Sequence, residues 1–198
     1  VRDEQAGRAA VLGIERLDAE KRVVAFTGFP TFRIGPWWPG SHNPYFVENV
    51  GEALSNAGEW YLDRSTGALT YLPVEGETLA ATRLVAPALQ TLLTIRGDAS
   101  NGRPVTQLRF RELSFAHNEA VLPREGYGGS QGHPDLPAAL EFTVAAGLTL
   151  EACTIAHTGN YGLSLGLGCH SNRITGCHLD DLGGGGIKVG DIRMDAKA

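Results

Sequence analysis

The chain has 198 residues, a formal net charge of −5, and 42% hydrophobic against 20% charged residues. This is the make-up of a folded protein, which excludes the disordered and collagen-like classes, and the acidic balance argues against a nucleic-acid partner. No apolar run approaches the roughly 18 residues of a membrane span.

Residues 1–20 are charged and alanine-rich. Within and after them, Val11–Ile14 is predicted as a strand, with a short helix as the competing assignment. Asp18–Lys21 is turn-like and Val23–Phe26 reads as a second strand. Trp37 and Trp38 lie between Pro36 and Pro39. Proline on both sides denies regular structure, so the pair sits in a loop presenting aromatic surface. That surface can pack internally or stack on a sugar ring. Asn49–Leu54 supports a turn or two of helix at most. Trp60–Leu62 and Leu69–Leu72 are β-rich runs joined by Asp63–Gly67, a strong hairpin signal. Residues 8–80 are therefore expected to form a small antiparallel β unit.

From residue 81 the pattern changes. Leu84–Pro87 and Leu92–Ile95 are the first short apolar runs, and Asp98–Pro104 is a loop. The stretch 148–190 matches itself when displaced by 24 residues: Leu150–Ile155 falls on Ile174–Leu179, Gly159 on Gly183 and Leu163 on Ile187. Leu108–Asn118 matches Leu148–Thr158 at an offset of 40, and the surplus is an insertion at 121–135. Short alternating runs with glycines at fixed offsets predict stacked coils of a parallel β-helix of about 24 residues each. A leucine-rich repeat shares the period but needs a helix where this chain has glycines and polar residues. Leu108, Phe110, Leu113 and Phe115 are expected inward, with a corner between Phe110 and Leu113. The insertion is expected to be a flexible surface loop carrying Tyr127, Gln131 and His133.

Three cysteines, Cys153, Cys169 and Cys177, are too few for a disulfide framework. Cys153 and Cys177 hold equivalent repeat positions and are expected to stack as small inward residues, a disulfide being the alternative. No CxxC spacing points to zinc, and no metal or other cofactor is expected. The start at Val1 and the end at Ala198, just past a glycine-rich corner, read as those of a segment of a larger protein.

Register places His117, His157 and Asp181 at one position on three successive coils, about 4.8 Å apart. They form a polar column, with Asp180 expected either inward or capping backbone at a corner. Carboxyl pairs on adjacent or next-adjacent coils would match the separations of about 5–9.5 Å used in glycoside hydrolysis. The bland alternative is a structural corner whose His and Asp bond loop backbone. Asp191, after Ile187–Val189, is a further candidate acid.

The strings YFVENV, GEWYLDRSTGALTYLP, LSFAHN, AHTGNYGLSLGLG and DLGGGGIKVGD resemble bacterial right-handed parallel β-helix proteins of carbohydrate-active type. The nearest named groups are glycoside hydrolase families 141 and 120. The resemblance runs over nearly the whole chain from about Val23. It implies an all-β chain, with a β-sandwich-like unit at 8–80 ahead of right-handed coils at 81–198. It also implies a secreted or periplasmic protein that degrades plant or algal polysaccharides. On that reading Asp181, His157 and Asp191 are the expected catalytic residues. The expected substrate surface is His117, Asn118, Tyr161, Trp37 and Trp38. The remaining coils of a parent chain would be its other partner, and the segment alone would have little activity. A polysaccharide lyase using Lys188 or Arg173, and a non-catalytic glycan-binding solenoid, are the alternatives.

Overall fold

The computed structural model describes residues 2–5, 8–32, 34–35, 44–129 and 132–191, with side chains described from residue 9. Two compact units result, one of residues 1–85 with 122–130, the other of 86–121 with 131–198. Both are built from strands, and one 3-10 turn, Gly51–Ala53, is the only helix among the described residues.

In the first unit β1 (Arg2–Gln5) pairs antiparallel with β2 (Arg8–Val11), and β3 (Ile14–Asp18) forms a hairpin with β4 (Val23–Phe26). The short β5 (Tyr45–Phe46) returns to β1. A second hairpin joins β6 (Trp60–Asp63) to β7 (Ala68–Tyr71), as the sequence predicts. Ala10, Leu12 and Phe32 form a small buried core with Phe26 against it. The insertion departs from expectation, because part of it belongs to this unit. Val11 and Tyr127 exchange backbone hydrogen bonds of 2.9 and 2.7 Å, and Thr31 N donates to Gly128 O. Gly126 has a φ of +80°, and an added Cβ would lie 2.5 Å from Val11 O, so the loop's glycines allow this close approach.

Two carboxylates hold the ends of β6. Glu59 accepts from Ser55 N, Asn56 N and Asn56 Nδ2, at 2.7 to 3.0 Å. Asp63 accepts from Ser65 N, Ser65 Oγ and Thr66 Oγ1, and its carbonyl takes the Gly67 N–H. The side-chain donors, Asn56 and Ser65 foremost, pull each acid down to about 2. Because the folded values lie below the unfolded ones, this stabilisation is complete above the ordinary carboxylate range. It is lost as the pH falls toward about 2. Acid titration followed by Trp60 fluorescence should therefore loosen the hairpin across that window. The double variant Glu59→Gln, Asp63→Asn is expected to show a flatter pH dependence there.

The second unit runs β8 (Leu93–Arg96), β9 (Val105–Thr106), β10 (Arg109–Arg111), β11 (Ser114–Asn118), β12 (Ala138–Thr143), β13 (Ala145–Ala146), β14 (Thr149–Glu151), β15 (Thr154–Thr158), β16 (Tyr161–Leu165), β17 (Arg173–Thr175), β18 (His178–Leu182) and β19 (Ile187–Val189). All its ladders are parallel. The orders are β10-β14-β17, β11-β15-β18 and β8-β12-β16-β19, with a small β9-β13 pair. The predicted registers are met: Thr154 pairs with Ser114 and His178, and Leu163 with Ile187.

Corners recur with the same conformation in each repeat. Gln107, Gly147 and Ser171 have positive φ, as do Glu112, Ala152 and Gly176, and then His117, His157 and Asp181. One left-handed residue every five positions lets a strand of three to five residues end, turn and resume with its apolar side still inward. The core consists of Leu140, Phe142, Leu148, Leu150, Ile155 and Leu163 among others. Leu150 and Ile155 lie on the middle strands of their sheets, Leu148 and Cys153 immediately precede those strands, and all four are at most 2% exposed. Leu108 and Leu113, expected inward, are 41% and 44% exposed. They flank β10 and β11, the edge strands, which are covered by a neighbour on one side only. Cys153 and Cys177 are free thiols, the first buried and the second half-buried.

Candidate functional site

The left-handed residues at the ends of β11, β15 and β18 make the polar column. His117, His157 and Asp181 have φ values of 64°, 52° and 49°. Their neighbours pair normally on both sides, Ala116 with Ala156 and Asp180, and Asn118 with Thr158 and Leu182. Each column residue is thus pushed out of the ladder at the same level. The imidazoles of His117 and His157 stack with centroids 4.9 Å apart and planes 10° from parallel. His157 Nδ1 meets Asp181 Oδ2 at 2.7 Å, and both side chains are more than half exposed. A carboxylate only accepts, so Nδ1 carries a proton, and in the neutral ring Nε2 is the acceptor.

The floor beneath is polar and closed. Asn118, Thr158 and Asn160 are 2–4% exposed. Asn118 Nδ2 donates to Gln90 O at 2.7 Å, its Oδ1 accepts from Gly159 N at 3.1 Å, and Thr158 Oγ1 donates to Asn160 O. Asn118 was expected at the substrate surface; it is instead an internal brace, because it follows the outward His117 by one residue and points the other way. Asn118→Ala would remove the side-chain bonds to Gln90 O and Gly159 N, leaving Gly159 N its bond to the Asn118 carbonyl, and a loss of about 1 kcal/mol is expected in urea denaturation. Asp180, expected inward or capping a corner, lies opposite Ala156 in the ladder and is exposed on the outer face beside the column.

The remaining candidates do not join the column. Tyr161 is half-buried, its hydroxyl donates to Gly132 O, and its ring lies 5.2 Å from Lys188 Nζ. Lys188 itself donates to Pro134 O at 2.9 Å and Leu136 O at 2.6 Å. Together they fasten residues 132–136 to the sheet. Asp191 is exposed beyond β19, at the end of a different sheet from Asp181. Trp37 and Trp38 lie outside the described residues. Among the described residues no group of three His, Cys, Asp or Glu is placed to hold a metal ion.

One feature was missed in the sequence. The outer positions of β10-β14-β17 are Arg109 and Arg111, Thr149 and Glu151, Arg173 and Thr175. Glu151 Oε2 accepts from Arg109 Nε at 3.1 Å and also from its Nη2. Arg111 Nε lies 3.1 Å from Glu112 and 4.0 Å from Glu151. A shallow cavity of about 370 Å³ is lined by Arg109, Thr149, Glu151, Arg173 and Thr175. The Arg109 hydrogen bond, reinforced by the charges of Arg109, Arg111 and Arg173, holds the Glu151 carboxyl below its ordinary value. The signal is present in the repeat alignment, which puts Arg109 and Arg173 in one outer column.

What the His–Asp column offers is an oriented base. Asp181 sets the tautomer and angle of His157, His117 covers one face of the ring, and Nε2 remains able to take a proton from water. No protein-family model matches this chain, and no curated protein or solved structure matches it either.

Proposed function

We propose that the chain is a segment of a secreted or periplasmic glycoside hydrolase acting on plant or algal glycans, and that its stacked parallel sheets are the walls of a right-handed β-helix. The observation that carries the reading is the exposed His157–Asp181 pair at 2.7 Å. His157 sits on β15, which is paired on both sides, and Asp181 on β18, which is held in register by β15. Preorganisation of this kind is what positioned acid–base groups require. The resemblance to carbohydrate-active β-helix proteins supplies the substrate class.

In this mechanism Asp181 holds His157 with Nε2 free. A water attacking the anomeric carbon gives its proton to Nε2 as the oxocarbenium-like transition state collapses. The leaving oxygen takes a proton from a second acid, a role for which Asp180, exposed on the same outer face, is the neighbouring carboxyl in sequence.

The test is release of reducing ends from xylan and pectic oligosaccharides by the intact protein, with and without His157→Asn. Asparagine tolerates a left-handed backbone, so the variant should fold and lose turnover. Unsaturated, ultraviolet-absorbing products would instead indicate a lyase. Glycan binding without turnover would indicate a non-catalytic module. Of the two candidate lyase bases, Lys188 is committed to two carbonyls, and Arg173 lies on a different sheet from the His157–Asp181 pair.

A further inference from the structure

We infer that the outer face of sheet β10-β14-β17 is a binding site for an acidic polysaccharide, whose carboxylate or sulfate groups are taken by Arg109 and Arg173. The inference stands apart from the His157–Asp181 chemistry, since the two sets of residues lie on different sheets, β10-β14-β17 and β11-β15-β18.

The local charge is the first support. Three arginines face one another across Glu151 in a chain whose net charge is −5, so this face reverses the sign of the whole. Glu151 hydrogen-bonds Arg109 through one carboxylate oxygen, and its other oxygen lies 4.0 Å from Arg111 Nε. The Arg173 guanidinium has no hydrogen-bond partner among the described residues. Guanidinium groups match carboxylate and sulfate in a planar, two-pronged geometry that lysine cannot reproduce.

Spacing is the second. Arg109 and Arg173 share a column with Thr149 between them, so their Cα atoms are two strand spacings, about 9.6 Å, apart. That is a repeat suited to a polymer with regularly placed acids, running across the strands. The Thr149 and Thr175 hydroxyls line the same cavity and offer donors and acceptors to sugar hydroxyls. Nucleic acid fits less well, since no aromatic side chain lines the cavity for bases to stack on.

The experiment is calorimetry of the 198-residue chain with a polygalacturonate oligosaccharide, a neutral xylo-oligosaccharide of equal length and single-stranded DNA. The acidic glycan is expected to bind and to weaken with added salt, while any binding of the neutral one is expected to be weaker and unchanged in the arginine variants. Arg173→Ala and Arg109→Ala are each expected to bind about tenfold more weakly, the equivalent of one charge-assisted hydrogen bond. Glu151→Gln removes the internal competitor and is expected to bind more tightly, a gain that misfolding cannot imitate. The comparison is between the arginine variants and the unaltered chain, so failure of the hydrolase reading leaves this result intact. No binding of the acidic glycan, equal binding by the arginine variants, or DNA bound as tightly would each overturn the inference.

Discussion

On the proposed hydrolase reading, replacing Asp181 by asparagine is expected to lower glycan hydrolysis about 10²- to 10⁴-fold, the usual worth of a positioned acid–base group. The substitution is chosen for what it leaves alone. Asp181 has a φ of 49°, and asparagine is among the few residues that accept that conformation without added strain. The Asn amide can still bond His157 Nδ1, but as an amide it can no longer stabilise an imidazolium. The loss should therefore fall on kcat with the melting temperature unchanged. Unaltered kcat/KM would remove Asp181 from the chemistry and return the column to a structural corner. Asp181→Gly serves as the companion. Release of left-handed strain should stabilise the fold by an amount on the order of 1 kcal/mol, offset in part by glycine's greater unfolded entropy, while activity is lost as in the asparagine variant.

Phe142→Ala is expected to cost about 3–5 kcal/mol, the range for removing a fully buried aromatic ring. Phe142 is 1% exposed and pairs in the ladder with Ile95 on one side and Leu165 on the other. Strands run above and below, so the cavity cannot collapse without shifting a rung. Urea denaturation of the second unit measures the effect. A loss below about 1 kcal/mol would mean that β12 is not the packed centre of its sheet. The contrast is Leu113→Ala on the edge repeat, where 44% of the residue is already exposed, so less than half of that loss is expected.

The repeat was legible because its signal is local and periodic. An offset of 24 residues with apolar positions alternating inside each run names which residues stack. Leu150 on Ile174 and Leu163 on Ile187 follow without any knowledge of the corners. The hairpin of β6 and β7 was legible for a similar reason, since Asp63–Gly67 carries both the side-chain acceptor and the glycine at φ 75° that the turn uses. The insertion was not. Glycines at 126, 128 and 129 read as a loose surface loop, yet they permit the backbone to lie against residues 9–12 and 29–31. Nothing near them in sequence identifies that partner.

The candidate site divides along the same line. Sequence alone determined that His117, His157 and Asp181 share a level, because register depends only on repeat length and strand period. It could not determine which way the residues on either side point. A left-handed residue at each column position inserts an extra step into the alternation, which sends Asp180 outward and buries Asn118. Only the tertiary structure decided that Asn118 is a brace, that Lys188 is held by loop carbonyls, and that Glu151 serves three arginines. Each of these depends on a neighbour brought close by stacking, roughly one strand spacing away in space and dozens of residues away in the chain.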